Sequence, residues 1–550
     1  MQQTIGIIAP MTDLEQYHLD LTIHLPRGHE LTLANLNELG QHDFNTEILP
    51  PLPQAHASIP AAGYYLSGLL RKEGYNTVLS GKFDKASLEK IADEDPVAIC
   101  LSTTMILKSG SLRQVIRNIR EVMPQTFIIV GGVYVWKSYR FYQIFPEIAK
   151  SDFAETLLFQ KGTEDIEADV FIAAPHGRES LLMVLDELKK GRAADYSQIP
   201  NLAFPGKNGY TFTERKHENA DFESDITHWD YIEDMPGQIP FRTSIGCPFR
   251  CRFCDFYHIY PDIYLRSGES LLRELNMIRK KLGDRPAILH ATDDNVFMNP
   301  KRLREVVETI IKSGIPRWIG FLRASSVNES NIELIRQSGL MMAIIGVESG
   351  DTGQLERMNK KQKPQEVQKG IELLDQNGIT AMMTFIAGYP GENMETIQNT
   401  ANFMNNMEIG YASSSYQIFP LYISPFSDLV KKEFQDKWAL SGVYDHWKHY
   451  TMNSDQARTA GYELFKRTIH VPYHYSQERT WYNKERFNLE VRRKLFGLRR
   501  QLTIAIVEHK PLVVSQAILN EMTVLMNGKD MEIPLDFISG LSVGFDHPAL

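Results

Sequence analysis

Short apolar runs alternate with amphipathic stretches along the first 200 residues. "TIGIIAP" (Thr4 to Pro10), "YNTVLS", "PVAICLSTT" (Pro96 to Thr104), "TFIIVGG" (Thr126 to Gly132) and "DVFIAAP" have strand length. Between them, Leu66, Leu69 and Leu70 fall on one helical face, and Leu112, Val115, Ile116 and Ile119 on another. Helix and strand in alternation predict an open parallel sheet. Ligands on such sheets sit beyond the carboxyl ends of the strands. The candidate rim residues are therefore Ser102, Thr103, Thr104, Gly131, Gly132, His176, Gly177 and Glu179.

A polar stretch with Gly-Asn-Gly follows and reads as a hairpin or linker, so a boundary is placed there, with the linker over 201–237. From 238 to 425 the pattern becomes more regular. Six apolar runs, from "IPFRTSIG" to "SSSYQIFPLY", are separated by five amphipathic stretches. One of these places Leu303, Val306, Val307, Ile310 and Ile311 at i, i+3, i+4, i+7 and i+8. A repeated βα unit with right-handed crossovers closes into a full or partial barrel, with chemistry at the carboxyl ends of its strands. The tail, 426–550, reads as mostly helical. Its basic stretch, which includes Lys484, Arg486, Arg492, Arg493 and Arg500, reads as a solvated amphipathic helix packing Phe487, Val491, Leu495 and Leu498.

The chain has 550 residues, which suggests three domains. Hydrophobic residues are 43% and charged residues 23%, a globular balance. Lys+Arg 59 against Asp+Glu 68 leaves a net charge of −9, which argues against bulk nucleic-acid binding. No apolar run reaches the roughly 20 residues a bilayer demands. The N-terminal apolar run lacks a basic flank and is followed by Asp13 and Glu15, so it reads as a strand rather than a signal peptide. A cytoplasmic location is expected.

Four cysteines are too few for a disulfide scaffold. Cys100 lies inside an apolar run, where a free thiol behaves as a small hydrophobe. Cys247, Cys251 and Cys254 fall within eight residues as C-x3-C-x2-C. Three thiolates on one loop can bind three irons of a cubane and leave the fourth open. Structural zinc wants four ligands, which His258 could complete; chance clustering is the other alternative.

The cysteine pattern, set after the first strand of a βα series, resembles the radical S-adenosylmethionine (SAM) superfamily. Phe253 sits between the last two cysteines, and "TDDN" (Thr292 to Asn295), "GVESG" (Gly346 to Gly350), "RMNKKQ" and "FIAGYPGEN" (Phe385 to Asn393) follow in order. The set resembles the branch that carries an N-terminal cobalamin-binding domain, over about residues 1–425. That resemblance implies an α/β protein. A Rossmann-like parallel sheet of the cobalamin-binding type would occupy 1–200, a partial (β/α)6 barrel 238–425, and a mostly helical substrate-side domain 426–550. It implies a [4Fe-4S] cluster on Cys247, Cys251 and Cys254, with SAM chelating the open iron.

Glu348 and Arg323 would hold SAM, with Phe253 and Asp293 nearby, and Gly388 and Pro390 would shape the adenine and ribose region. Each has a plainer role open to it. Arg323 could pair with Asp293 or Asp294, Asp293 could brace the barrel, Glu348 could sit at a helix N-terminus, and Gly388 and Pro390 could be turn formers. "HWKHYTM" (His446 to Met452) either lines the substrate pocket, with His449 and Tyr450 transferring protons, or packs the core. "ICLSTT", "IIVGGVYVW" and "HGRESLL" resemble the branch's cobalamin domains. None of the 16 histidines has an Asp two places before it, so the D-x-H-x-x-G cobalt ligand is absent.

The expected activity is methylation of an unactivated carbon through a 5′-deoxyadenosyl radical and methylcobalamin. Two alternatives stand beside it: cyclisation or rearrangement with the same cofactors, and a non-catalytic iron–sulfur protein. The expected partners are a small-molecule substrate (a metabolite, lipid, tetrapyrrole or natural-product intermediate) and an electron donor such as flavodoxin or ferredoxin.

Overall fold

The computed structural model describes residues 2–10, 59–144, 156–160, 162–206, 209–218, 221–410, 414–474, 487–508 and 510–527. Asp13, Glu15, Lys484 and Arg486 lie outside them. The fold is α/β and is built on two parallel sheets.

The first sheet contains β1 (Thr4–Ile8), β2 (Asn76–Ser80), β3 (Ala98–Ser102), β4 (Phe127–Gly131), β5 (Val170–Ile172), β6 (Leu202–Gly206) and β7 (Gly209–Phe212). Their order is β2-β1-β3-β4-β5-β6-β7. The first five strands are parallel, and β6 and β7 add an antiparallel hairpin. The strand order reverses between β1 and β3, so the crevice for a ligand opens at that edge. Helices cover both faces. Helices Lys85–Ala92, Ser109–Val122 and Val133–Ile144 bury Leu88, Ile91, Leu112, Val115, Ile116 and Val135 on one side. Helices Ala61–Lys72 and Arg178–Leu188 bury Leu70, Leu181, Val184 and Leu185 on the other.

The second sheet holds β8 (Gln238–Phe241), β11 (Ile288–Ala291), β12 (Trp318–Leu322), β13 (Leu340–Glu348), β14 (Thr380–Ala387) and β15 (Ser415–Pro420). All pairs are parallel and neighbours in the sheet are neighbours in the series. Two short hairpins accompany it: β9 (Ser244–Ile245) with β10 (Tyr264–Leu265), and β16 (Ser441–Val443) with β17 (His446–Lys448). Helices Ser454–Arg467, Leu489–Val507 and Leu512–Asn527 complete the described chain. Phe487, Leu495 and Leu498 are buried in the same core as the second sheet, as the apolar stripe of the tail requires.

The segment 201–237, expected as a linker, carries strands and a buried anchor among its described residues. Its first part is β6 and β7. Trp229 is fully buried against Tyr64, ring centroids 5.4 Å apart, and its Nε1 donates to Glu274 Oε1 of helix Gly268–Leu282 at 2.9 Å. The stretch thus pins the first sheet's helices to the second sheet. Its polar composition misleads because one large aromatic, rather than a periodic pattern, carries the packing.

Candidate functional site

The excursion that carries the cysteines is held at both ends. The β9–β10 pairing joins its entry to its exit. Asp293, 2% exposed at the end of β11, accepts Thr243 N (3.1 and 3.0 Å), Thr243 Oγ1 (2.7 Å) and Ser244 Oγ (2.5 Å). Its carboxylate is consumed as a brace for the entry strand. The neighbouring Asp294 is the carboxylate beside the cysteines. It accepts Gly246 N at 3.2 Å, and burial raises its pKa.

The three thiols interact with one another. Burial pushes Cys254 up to about 12, with further repulsion from Asp255, Cys251 and Cys247; burial and Cys251 also raise Cys247. Cys251 is buried. Cys247 and Cys254 thus resist ionising unless cations join them, which fits iron ligands. Among the described residues no three His, Cys, Asp or Glu side chains form a single-ion site. His258 Nε2 instead faces Asp428 Oδ1 at 3.3 Å, so it does not complete a zinc site.

Arg323 follows β12 and comes to the cysteines rather than pairing with Asp293 or Asp294. Its guanidinium bonds Cys251, lies 3.8 Å from the centre of the Phe249 ring, and donates to the Lys360 and Lys361 carbonyls. Glu348 ends β13 with φ +69, in the left-handed region, where the register with β14 shifts. A non-glycine residue held there marks a site whose surroundings over-determine it. Its Oε1 meets Lys360 Nζ at 2.6 Å, and Lys360 lies 5.7 Å from the Phe253 ring centre. Arg323, Glu348, Lys360, Phe249, Phe253 and the cysteines therefore form one cluster, in which Arg323, Glu348, Lys360 and Cys251 are buried and the rest half-buried. Lys360 lies inside "RMNKKQ", but nothing local separates it from Lys361; only its burial does.

Gly388 has φ +89, and a Cβ there would lie 2.3 Å from Ala457 Cβ and 2.9 Å from Trp447. Its N–H donates to Glu392, a fully buried carboxyl whose pKa desolvation raises to about 7. Pro390 is buried in the same turn. His449 is stacked on Trp447 and buried. Its Nε2 donates to Gly388 O at 2.9 Å, while Nδ1 accepts from Thr451 N (3.3 Å), Thr451 Oγ1 (3.0 Å) and Met452 N (3.3 Å). Both ring nitrogens are committed, so His449 has none left for proton transfer and acts as a brace for the Gly388 turn. Tyr450 is 57% exposed.

On the first sheet, Thr103 N and Oγ1 both donate to Gly131 O at 2.8 Å, and Ser102 Oγ lies 3.1 Å from Thr104 Oγ1. Gly132 has φ +114, and a Cβ there would lie 3.0 Å from Thr103 N. The close approach it permits is to this chain's own backbone. Gly177 caps helix Arg178–Leu188 in the left-handed region. Glu179 itself is exposed; the buried carboxylate at that helix start is Glu218, which accepts Glu179 N (3.2 Å), Ser180 N (3.1 Å) and Ser180 Oγ (2.5 Å). Glu218 sits in a polar stretch, 39 positions from Glu179, with no local signal. His176 is half-buried, its pKa lowered by desolvation, and edge-on to Tyr264 with centroids 6.2 Å apart.

That contact and two others bring the first sheet's carboxyl edge to the cysteine loop. Lys137 Nζ meets Asp255 Oδ2 at 2.9 Å, and Ile259 is buried in the first sheet's apolar layer. A cavity of about 370 Å³ that includes Tyr416, Phe465, Arg492 and Arg500 lies at the opposite, amino-terminal end of β15.

Residues 241–404 match the Radical SAM superfamily. An uncharacterised methyltransferase of Pyrococcus horikoshii is 24% identical over 388 residues, covering 66% of this chain and 78% of the relative. The anaerobic magnesium-protoporphyrin IX monomethyl ester cyclase of Rubrivivax gelatinosus is 24% identical over 400 residues, covering 69% and 66%. Among solved structures, the radical SAM methyltransferase TsrM from Kitasatospora setae, with cobalamin and a [4Fe-4S] cluster bound, superposes with a TM-score of 0.52 at 15% identity, covering 78% and 74%.

Proposed function

We propose that this chain, which carries a radical SAM domain at 241–404, is a cobalamin-dependent radical SAM enzyme that methylates an unactivated carbon of a small molecule. The observation that carries the proposal is the cluster in which the buried Arg323, Glu348 and Lys360 meet the cysteine loop. The second sheet, with strands in chain order, is read as a partial (β/α)6 barrel, and the first as the cobalamin-binding domain. Bound there, a [4Fe-4S] cluster would supply the electron that splits SAM, and cobalamin a methyl group that a carbon radical can accept.

Cys247, Cys251 and Cys254 are the ligands for the cluster. Glu348 is the carboxylate for the SAM ammonium, and Arg323 and Lys360 are the cations for its carboxylate. Burial of these groups excludes water and strengthens each of those contacts. Asp293, His449, Gly388 and Pro390 hold the frame of the site. The rim at Thr104, Gly131, Gly132, His176 and Gly177, whose His176 meets Tyr264 at the exit of the cysteine excursion, is where the corrin is assigned. No described helix is long and apolar enough to cross a membrane, in keeping with a cytoplasmic enzyme served by an electron-donor protein.

The test uses anaerobic protein reconstituted with iron, sulfide and hydroxocobalamin, and SAM carrying a deuterated methyl group. Label in the product carbon is the expected result. Product without label overturns methyl transfer in favour of cyclisation, the chemistry of the Rubrivivax relative. A cluster that forms but neither binds nor cleaves SAM overturns the enzyme altogether, in favour of an iron–sulfur carrier.

A further inference from the structure

The cysteine loop faces two ways. Its later half, from Asp255 to Ile259, packs on the first sheet's domain through Lys137 and a shared apolar layer. Its earlier half, 248–252, packs on two other segments. Arg252 N donates to Met358 O at 2.9 Å, and Asn359 Nδ2 donates to Arg250 O at 2.6 Å. The Arg252 guanidinium lies 5.0 Å from the ring centre of Phe434 in helix Lys432–Trp438.

Segments 248–252, 356–363 and 431–437 thus form one surface. Together they expose six Lys or Arg against three Asp or Glu, in a chain whose net charge is −9. Arg250, Lys361, Lys363, Lys432 and Lys437 are exposed, and none has an acidic partner among the described residues. Exposed acids on the same segments are Glu356, Glu433 and Asp436. Arg250 stands between two of the proposed cluster ligands, so the surface next to those cysteines is itself cationic.

We propose that this surface is the docking site of an acidic one-electron donor protein, which reaches the cluster from the side away from the first sheet. The inference rests on the radical SAM reading and adds the place of electron entry. The donor loses one electron and the cluster gains it; no bond forms or breaks. A positive patch meeting a negative partner accelerates encounter and makes it sensitive to salt. Placing entry here keeps the first sheet's edge and the barrel mouth clear for cobalamin and substrate.

The experiment measures cluster reduction in the full chain, reconstituted without oxygen, by loss of visible absorbance. The electron source is reduced flavodoxin or, separately, dithionite. K361E/K363E/K432E should slow reduction by flavodoxin about tenfold or more at low ionic strength, with the dithionite rate and cluster content unchanged. Salt should slow the wild-type reaction with flavodoxin and leave the variant nearly flat. K361R/K363R/K432R, which keeps the charge, should keep the wild-type rate.

Equal flavodoxin rates in wild type and charge-reversed protein would overturn the assignment. So would retention of a short RNA by the wild type, lost in the variant while the flavodoxin rates agree, which would make the patch a nucleic-acid surface. If dithionite reduces the cluster and SAM is bound but never cleaved, the proposed activity fails, while the docking result still stands on the flavodoxin rates.

Discussion

The two sheets share parallel strands joined by helices, yet they use their faces differently. In the first, every residue of β3 and β5 is buried. Ile99, Leu101, Ile128 and Val130 point into one apolar layer, and Cys100, Phe127 and Ile129 into the other. This is the usual state of a parallel sheet, closed on both sides. In the second, burial alternates along the two long strands β13 and β14. Ala343, Ile345 and Val347 of β13 are fully buried, whereas Met342, Ile344 and Gly346 between them are half-buried. β14 repeats the pattern from Ala381 to Ala387. On β12, Phe321 is 42% exposed. A barrel whose interior is only a core fills that face with side chains; here it is left open, with Arg323 and Glu348 at its carboxyl end. The first sheet offers only its edge to a ligand. The second offers a face.

The largest expected effect tests the chemistry at that open end. Cys247→Ala, Cys251→Ala and Cys254→Ala should each abolish the iron–sulfur absorbance of reconstituted protein, while Cys100→Ala in the closed sheet should retain it. Loss of the cluster in Cys100→Ala, or its survival in any of the other three, would break the contrast.

Next comes the difference between faces. Urea unfolding of Ile128→Ala and of Ile129→Ala should each show a loss of about 2–5 kcal/mol, because both sides of β4 are core. On β13, Ile345→Ala should cost as much, and Ile344→Ala about 1 kcal/mol. Equal losses at 344 and 345 would mean that the second face is packed after all.

A pH effect follows from Glu392. Its folded pKa, raised to about 7 by burial, lies above its ordinary value of 4.5. The folded state therefore holds the proton more tightly, and the group's stabilising contribution is complete below 4.5 and lost as pH rises through about 7. Glu392→Gln should remove that slope from thermal unfolding measured between pH 5 and 8, and a slope that persists would refute the assignment. The smallest effect belongs to the strut between the sheets. Lys137→Ala breaks a partly exposed ion pair with Asp255 and should cost less than about 1 kcal/mol. A larger loss would show the two sheets to be coupled through the cysteine loop more tightly than one surface pair allows.

Legibility from the chain differs from residue to residue. Arg323 and Glu348 stand out from the strands they end; Arg323 comes to the cysteines, and Glu348 joins it through Lys360. For Asp293 the chain leaves both a site role and a brace open, and it does not choose between them because Asp293 and Asp294 are adjacent and alike. Which of them turns toward Thr243, 50 positions earlier, depends on how β8 and β11 pair. Glu218 gives no local signal because it reaches the helix start at Glu179 from 39 positions away, and His449 differs from an available base only in the partners that saturate its ring.

Periodicity and spacing are local, so the chain alone determines the alternation of strands and helices, the C-x3-C-x2-C loop and the place of that loop after the first strand of its series. Hydrogen-bond saturation and burial are not local. They depend on donors and walls supplied from distant segments, and only the assembled fold decides which carboxylate is spent, which lysine is enclosed, which face of a sheet stays open and which side of the cysteine loop is left positive.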